Sequence, residues 1–232
     1  LVIFISYSKK RLFFVFLIHL FFMDVKQAYA QWAEQYDTNL NKTRDLEAIS
    51  LRKTLRGSGF NSCLEIGCGT GKNTQWLAET TTQLTAVDLS EEMLDRAKEK
   101  VQASQVQFMV ADITKPWDFC TQTYDLVTFS LVLEHIEDLH SIFKKVAQVT
   151  NPGARVYVGE LHPFRQYRGS KARFETEGGT SVVTCFTHHF SEFAGAAAEA
   201  GFVIERVNEF FDEDDRTGVP RILALLFRKR KI

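Results

Sequence analysis

Three alternate glycines mark the segment of this chain best suited to chemistry, Leu64-Glu65-Ile66-Gly67-Cys68-Gly69-Thr70-Gly71. An apolar run leads into them and a helical pattern follows. Glycine allows positive φ and close approach of the backbone to a ligand. A helix start presents unsatisfied N–H groups. Alone, such a loop is equally a tight strand-to-helix turn. It is joined by residues at the ends of the next apolar runs. Asp88 ends one, and an acid there accepts hydrogen bonds from ribose hydroxyls. Ala111-Asp112-Ile113 ends the next, where Asp112 can accept from an adenine amino group while Ile113 packs on the ring. Phe129-Ser130-Leu131 ends a third. Singly, Asp88 is a cap before a helix and Asp112 a surface turn residue. In this order, at successive strand ends, they form a site for a nucleoside-bearing cofactor. Beside them lies His135 in Leu133-Glu134-His135-Ile136, the nearest candidate general base. Its bland alternative is a histidine that caps or packs at a helix start. Glu134 and Glu137 read as solvated carboxylates favoured by the helix dipole.

Spacing narrows the cofactor. The dinucleotide fingerprint is G-x-G-x-x-G. Here the third glycine comes one residue early and Lys72 stands in its place. The G-x-x-x-x-G-K-[ST] order of a P-loop is absent.

The elements that must position these residues follow a β-α alternation. Strands are predicted at Cys63–Ile66, Leu84–Val87, Val106–Val110, Asp125–Phe129 and Arg155–Val158. Helices are predicted at Lys72–Ala78, Glu91–Val101 with Ser90 as N-cap, Leu139–Val149, and Ser191–Ala200 ended by Gly201. Asn151-Pro152-Gly153 reads as a turn. Residues 24–57 read as two helices with a break near Asp37–Asn41. The alternation predicts a parallel sheet with helices on both faces. Phe202–Phe211 and Arg221–Phe227 have no helix between them and suit an antiparallel edge pair. The irregular stretch 161–190 lies beyond a strand's carboxyl end, where substrate-binding parts sit. Inside it, Ala172–Thr176 and Ser181–Thr187 can pair across Glu177-Gly178-Gly179.

Composition sets outer limits. The 232 residues are 45% apolar and 25% charged, which excludes a disordered or low-complexity chain. A net charge of -1 gives no electrostatic footprint for a nucleic acid. Cys63, Cys68, Cys120 and Cys185 are scattered, against a zinc ribbon or a disulfide framework and in favour of a cytoplasmic setting. Residues 1–22 differ from the rest, holding six of the twenty phenylalanines and no acid. Three readings compete: upstream sequence ahead of a start at Met23, a signal or anchor, or an amphipathic helix packed on the domain. The apolar stretch Leu12–Phe22 is shorter than the ~20 residues of a spanning helix. We take 1–22 as an extension outside the native domain. We take 23–232 as one domain with a helical cap at 24–57 and no membrane association.

The pieces LEIGCGTG, AVDLSEEML, ADI, YDLVTFSLVLEHIED and NPGARVYV together resemble the class I S-adenosylmethionine-dependent methyltransferases, in their small-molecule branch (types 11 and 25). The resemblance covers residues 24–160 well and the C-terminal strands loosely. It implies a Rossmann-like three-layer α/β sandwich with a seven-stranded, mostly parallel sheet of order 3-2-1-4-5-7-6, the last strand antiparallel. It implies S-adenosylmethionine as cofactor. Gly67, Cys68 and Gly69 then line its methionine part, with Glu65 supporting the loop. Asp88 holds the ribose, Leu89 and Met93 lie beside the adenine, and Asp112 and Ile113 meet its edge and face. Ser130 and Leu131 lie under the sulfonium, and Tyr29 and Tyr36 cover the cofactor. Ala154 departs from the Pro-Gly-Gly usual in that turn.

Absences narrow the acceptor. Ser130-Leu131-Val132-Leu133 stands where enzymes acting on base amines carry Asn/Asp-Pro-Pro-aromatic, and no docking extension for a protein substrate is visible. The expectation is methyl transfer to O, N or S of a small molecule. Arg165, Tyr167 and His188 are candidate substrate contacts, as is Arg173, although the arginines equally suit surface pairing with Glu175 or Glu177. His188-His189 has no third ligand at metal spacing, so no metal is expected. Two rival readings are a nicotinamide-dependent oxidoreductase and a non-catalytic cofactor-binding partner subunit.

Overall fold

A computed structural model of the chain describes residues 22–23, 25, 29, 36, 40–170, 173–176 and 179–231. The helical reading of 24–39 lies almost entirely outside the described residues, as does most of the 1–22 extension. Phe22–Met23 (β1) pairs parallel with Val182–Val183.

The apolar runs become the central strands. They are β2 (Phe60–Ile66), β3 (Thr81–Asp88), β4 (Val106–Val110), β5 (Tyr124–Ser130) and β6 (Thr150–Leu161). β9 (Phe202–Phe210) and β10 (Ile222–Lys229) complete the sheet. Its order is β4-β3-β2-β5-β6-β10-β9. The first five strands are mutually parallel, and β10 runs antiparallel to both β6 and β9. This is the 3-2-1-4-5-7-6 sheet expected from the sequence, with the antiparallel edge pair.

Helices cover both faces because each carries one apolar stripe. On one face α1 (Lys42–Leu55) buries Leu51 and Leu55, and α2 (Lys72–Thr80) buries Leu77 and Ala78. On the other, Ile142, Phe143 and Val146 of α4 (Leu139–Gln148) meet Phe193, Ala196 and Ala197 of α6 (Phe190–Glu199). The Ser90 hydroxyl accepts from Met93 N at the start of α3 (Glu91–Lys100), as its sequence predicts.

Two local readings are corrected. Asn151-Pro152-Gly153 does not end a turn before a strand; it lies inside β6. Tyr124 pairs with Thr150 and Leu126 with Arg155, so the extra residues are taken up as an irregularity in the ladder. Residues 151–154 have no partner in either ladder and Gly153 has φ +81°, so a turn-like excursion is carried inside the strand as a bulge. In the insertion, α5 (Pro163–Tyr167) precedes a hairpin of β7 (Arg173–Thr176) and β8 (Gly179–Val183). Its second strand starts two residues earlier than predicted and ends at Val183. Residues 184–188 turn back to the segment after β5, where Phe186 N donates to Glu134 O.

Several carboxyls lie inside the domain. Burial pushes Glu47 to about 7 and Glu65 and Glu160 to about 8, from an ordinary 4.5. Asn73, Tyr157 and Ser130 hydrogen-bond to Glu47, and Lys72 lies nearby; all oppose the shift without cancelling it. The folded state therefore holds more protons than the unfolded chain between pH 4.5 and 8. The contribution of these three groups is most favourable below that window and is lost as pH rises through it. The thermal midpoint of the ligand-free protein is expected to drop by a few °C, on an order-of-magnitude basis, from pH 6 to pH 8.5. Glu65→Gln should flatten the dependence. Calorimetry at the two pH values checks this, and a midpoint that rises overturns it.

Candidate active site

The sheet reverses its winding between β2 and β5, and a crevice opens beyond their carboxyl ends. There the glycine segment leaves β2. Gly67 N and Cys68 N both donate to Val87 O, which holds the loop against β3. Gly67, Gly69 and Gly71 all have positive φ. At Gly67 the requirement is twofold. Its φ is +71°, and an added Cβ would stand 2.2 Å from Val132 Cγ2. Gly71 begins α2 without a side-chain cap, so the helix start stays open.

The crevice holds a cavity of about 350 Å³. Its lining includes Tyr29, Tyr36, Gly67, Gly69, Asp88, Leu89, Asp112, Ile113, Ser130, Leu131 and His135, so eleven of the residues singled out in the sequence converge. Glu65, Cys68 and Met93 do not line it. Glu65 sits beneath the loop and accepts from Thr74 Oγ1 at 2.6 Å. Cys68 packs with Ala86 and Leu94, and Met93 is fully buried. These three support the wall from behind.

Asp88 is the hub of the loop. Oδ2 accepts from Gly69 N at 2.8 Å and Oδ1 from Ser90 N at 2.9 Å. Burial raises its pKa, and these backbone donors, with Leu89, oppose the rise. A carboxylate offers about four acceptor positions, so capacity remains toward the cavity. Asp112 Oδ1 accepts from Thr114 N and Oγ1, which tightens the next turn. Lys145 Nζ donates to Ile113 O and Thr114 O, both at 2.9 Å, and ties that turn to α4. Desolvation lowers the Lys145 pKa.

Beyond β5, Leu131 has φ +57°, a strained value for a branched side chain, and Leu131 N donates to Gly159 O. The Glu160 carboxylate holds the following turn, with Oε1 accepting from Val132 N at 3.0 Å and Leu133 N at 2.8 Å. Gly159 has no room for a side chain, because a Cβ there would meet Tyr157 Oη and Glu47 Oε1. Glu47 reaches Ser130 from behind. Glu160, Glu47 and Gly159 thus shape the floor, and the sequence reading passed over all three. Nor did it assign to the site Val25, Ile66, Val87, Ser90, Ala111, Thr114, Val132 and Ile136 of the lining, several of which stand inside its quoted motifs. Most of these directly adjoin the motif residues, which is the signal that could have found them.

His135 sits in a 3-10 turn that puts its ring at the cavity edge. Nδ1 lies 2.9 Å from Thr184 O, and a carbonyl only accepts, so Nδ1 carries the proton. Nε2 then accepts from Tyr29 Oη at 3.0 Å. The rings of Tyr29 and His135 meet edge to face, and Tyr36 lies 6.3 Å from Tyr29 between centroids. Desolvation raises the Tyr29 phenol pKa well above normal, so it stays a neutral donor.

The expected substrate contacts do not line this cavity. Arg165 pairs with Asp212 at 2.8 Å and donates to Pro220 O and Val219 O. The sequence reading does not name Asp212 as its partner; Glu177 and the side chain of Glu175, which it does name, lie outside the described residues. Tyr167 is exposed and bonds His189 Nδ1. His188 is buried, with Nε2 2.7 Å from Ile136 O, behind the cavity wall. The side chains of Arg173 and Glu175 lie outside the described residues. Glu134, read as solvated, is 7% exposed because the returning 184–186 segment covers it. Burial raises its pKa.

The family model described as a methyltransferase domain matches residues 64–158. That span runs from the glycine loop through β6 and takes in Asp88, Asp112, Ser130 and His135. Residues 64–158 are a methyltransferase domain. An uncharacterized methyltransferase of Emericella nidulans is 24% identical over 88% of this chain and 85% of its own length. A ubiquinone biosynthesis O-methyltransferase of Coxiella burnetii is 29% identical over 64% of this chain. The chain spans 62% of that relative's length. Among solved structures, the N-methyltransferase NodS of Bradyrhizobium japonicum with S-adenosylhomocysteine superposes with a TM-score of 0.66 at 18% identity. That superposition covers 88% of this chain and 97% of NodS. The seven-stranded sheet, including β9 and β10 beyond the matched span, thus has the fold of that solved methyltransferase. Among the described residues, no helix is long and apolar enough to cross a membrane.

Proposed function

We propose that the protein transfers the methyl group of S-adenosylmethionine to an oxygen, nitrogen or sulfur atom of a small molecule. The observation that carries this reading is the convergence of Gly67, Gly69, Asp88, Asp112-Ile113 and Ser130-Leu131 on one cavity. About 350 Å³ falls within the roughly 300–1,000 Å³ of small-molecule sites. The residues fit the cofactor. Asp88 retains acceptor capacity for ribose hydroxyls, Leu89 and Ile113 offer apolar walls to a purine, and Asp112 stands at its edge. The positive-φ glycines keep Cβ atoms out of the methionine end. When bound, the cofactor supplies an electrophilic methyl group on a sulfonium.

The chain's own contribution is position, exclusion of water and one proton acceptor. Tyr29 and Tyr36 close the cavity from above. Holding the acceptor atom in line with the methyl group accounts for most of the rate. His135 Nε2, basic in the tautomer fixed by Thr184 O, takes a proton from an acceptor that must lose one. The names of the relatives span O- and N-methyl transfer. Ser130-Leu131-Val132-Leu133 in place of an Asn/Asp-Pro-Pro-aromatic run, with a net charge of -1, favours a small acceptor over a nucleic acid. The scattered free thiols favour the cytoplasm.

The test is parallel calorimetric titration with S-adenosylmethionine, S-adenosylhomocysteine and NAD. We expect micromolar binding of both adenosyl ligands and none of NAD. Binding of NAD alone would overturn the proposal in favour of an oxidoreductase.

A further inference from the structure

The far side of His135 brings together three donor atoms that methyl transfer does not use. Glu134, His135 and Cys185 each place one ligating atom within 4.8 Å of the others. Cys185 Sγ lies 3.8 Å from His135 Nδ1. In a tetrahedral zinc site with Zn–S ~2.3 Å and Zn–N ~2.0 Å, sulfur and nitrogen stand roughly 3.5 Å apart. Little movement separates the two arrangements. The segments that carry these residues are clamped together. Phe186 N donates to Glu134 O at 2.7 Å, and His188 Nε2 donates to Ile136 O at 2.7 Å.

The carboxylate supplies an independent pointer. Glu134 is 93% buried by its 7% exposure, and its Oε2 has no hydrogen-bond partner. Gln166 and Cys185 hydrogen-bond the same carboxyl group, and Oε2 alone is the oxygen left without a partner. A buried carboxylate oxygen without a donor is costly, and a cation relieves that cost.

We propose that Cys185 Sγ, His135 Nδ1 and a Glu134 carboxylate oxygen bind one divalent zinc-class cation. A mixed sulfur, nitrogen and oxygen set selects zinc-like ions over magnesium or calcium, which take oxygen donors. Thr184 O, 2.9 Å from Nδ1, is the nearest further donor. Binding balances as follows. The thiol proton leaves to solvent, joined by the Glu134 proton where that group is protonated. The imidazole proton moves from Nδ1 to Nε2, and the metal takes the vacated lone pair. In the loaded state Nε2 is a donor toward Tyr29 and no longer a proton acceptor at the cavity. The site thus couples a metal to the protonation of the proposed base, while metal binding itself requires nothing of the methyl-transfer reading.

Chelator-treated full-length protein titrated with Co2+ is the test. We expect one equivalent to bind, with tetrahedral visible bands and a near-ultraviolet thiolate-to-cobalt transition, and Zn2+ to displace it. Cys185→Ser should abolish the thiolate transition and lower affinity by at least roughly tenfold. Glu134→Gln should lower affinity while keeping that transition. Circular dichroism establishes that each variant is folded, with Cys185→Ala as the second thiol variant. No uptake by the parent protein, a transition that survives loss of Cys185, or unchanged affinity in Glu134→Gln would each overturn the site.

Discussion

Replacing Asp88 by alanine is expected to weaken binding of S-adenosylmethionine and S-adenosylhomocysteine alike by roughly 10- to 100-fold, the scale of a lost hydrogen bond to a charged group. The effect has two parts. Hydroxyl groups of the ribose lose a charged acceptor. Gly69 N and Ser90 N, which donate to the two oxygens, lose their partners, so the glycine loop and the start of α3 loosen together. Asp88→Asn separates these parts. Its carbonyl oxygen can still accept from one backbone N–H, but its amino group can only donate, so the ribose hydroxyls lose an acceptor for their protons. The asparagine variant should therefore keep most of the thermal stability and still bind the cofactor poorly. Both constants come from calorimetry. A folded Asp88→Ala protein with parental affinity for either ligand would remove Asp88 from the ribose role.

The contrast between Asp88 and His135 explains what the sequence made legible. Asp88 works within a local frame: Gly69 and Ser90 are set by the adjoining strand, loop and helix, and each leaves its own trace in composition and spacing. The apolar runs themselves predict a parallel sheet with an antiparallel edge pair; the strand order comes with the resemblance to the class I methyltransferases. His135 depends on distant partners. Tyr29 is 106 positions away and Thr184 49. No period or spacing announces such contacts. Glu134 shows the cost of local reasoning. A carboxylate at a helix-like start belongs in solvent by the dipole argument, yet the chain returning after β8 covers it. Arg165 shows the same in reverse: its partner Asp212 follows β9, and the ion pair turns a candidate substrate ligand into a brace. Asn151-Pro152-Gly153 has every local mark of a turn. It nonetheless lies within the extended span of β6, as an unpaired excursion between Thr150, which pairs with Tyr124, and Arg155, which pairs with Leu126 and Arg228.

Substituting His135 by glutamine should lower turnover by roughly 100-fold or more while leaving cofactor affinity near the parental value. The argument rests on which nitrogen bears the proton. Thr184 O fixes it on Nδ1, so Nε2 presents a lone pair at the cavity edge beside Tyr29. Glutamine has the reach to hydrogen-bond Tyr29 but cannot take up a proton near neutrality. It therefore preserves the cover over the cofactor and removes the base. Tyr29→Phe is the complementary change. It deletes the hydroxyl that rests on Nε2 and keeps the ring that packs against His135 and Tyr36. If the hydroxyl occupies Nε2 only until an acceptor displaces it, Tyr29→Phe should keep turnover within about tenfold of the parent, far above His135→Gln. Single-turnover rates at saturating cofactor distinguish the two, because they separate chemistry from binding. Near-parental turnover in His135→Gln would mean that the acceptor arrives already able to attack. His135 would then be a support for Tyr29, and the catalysis would reside in positioning alone.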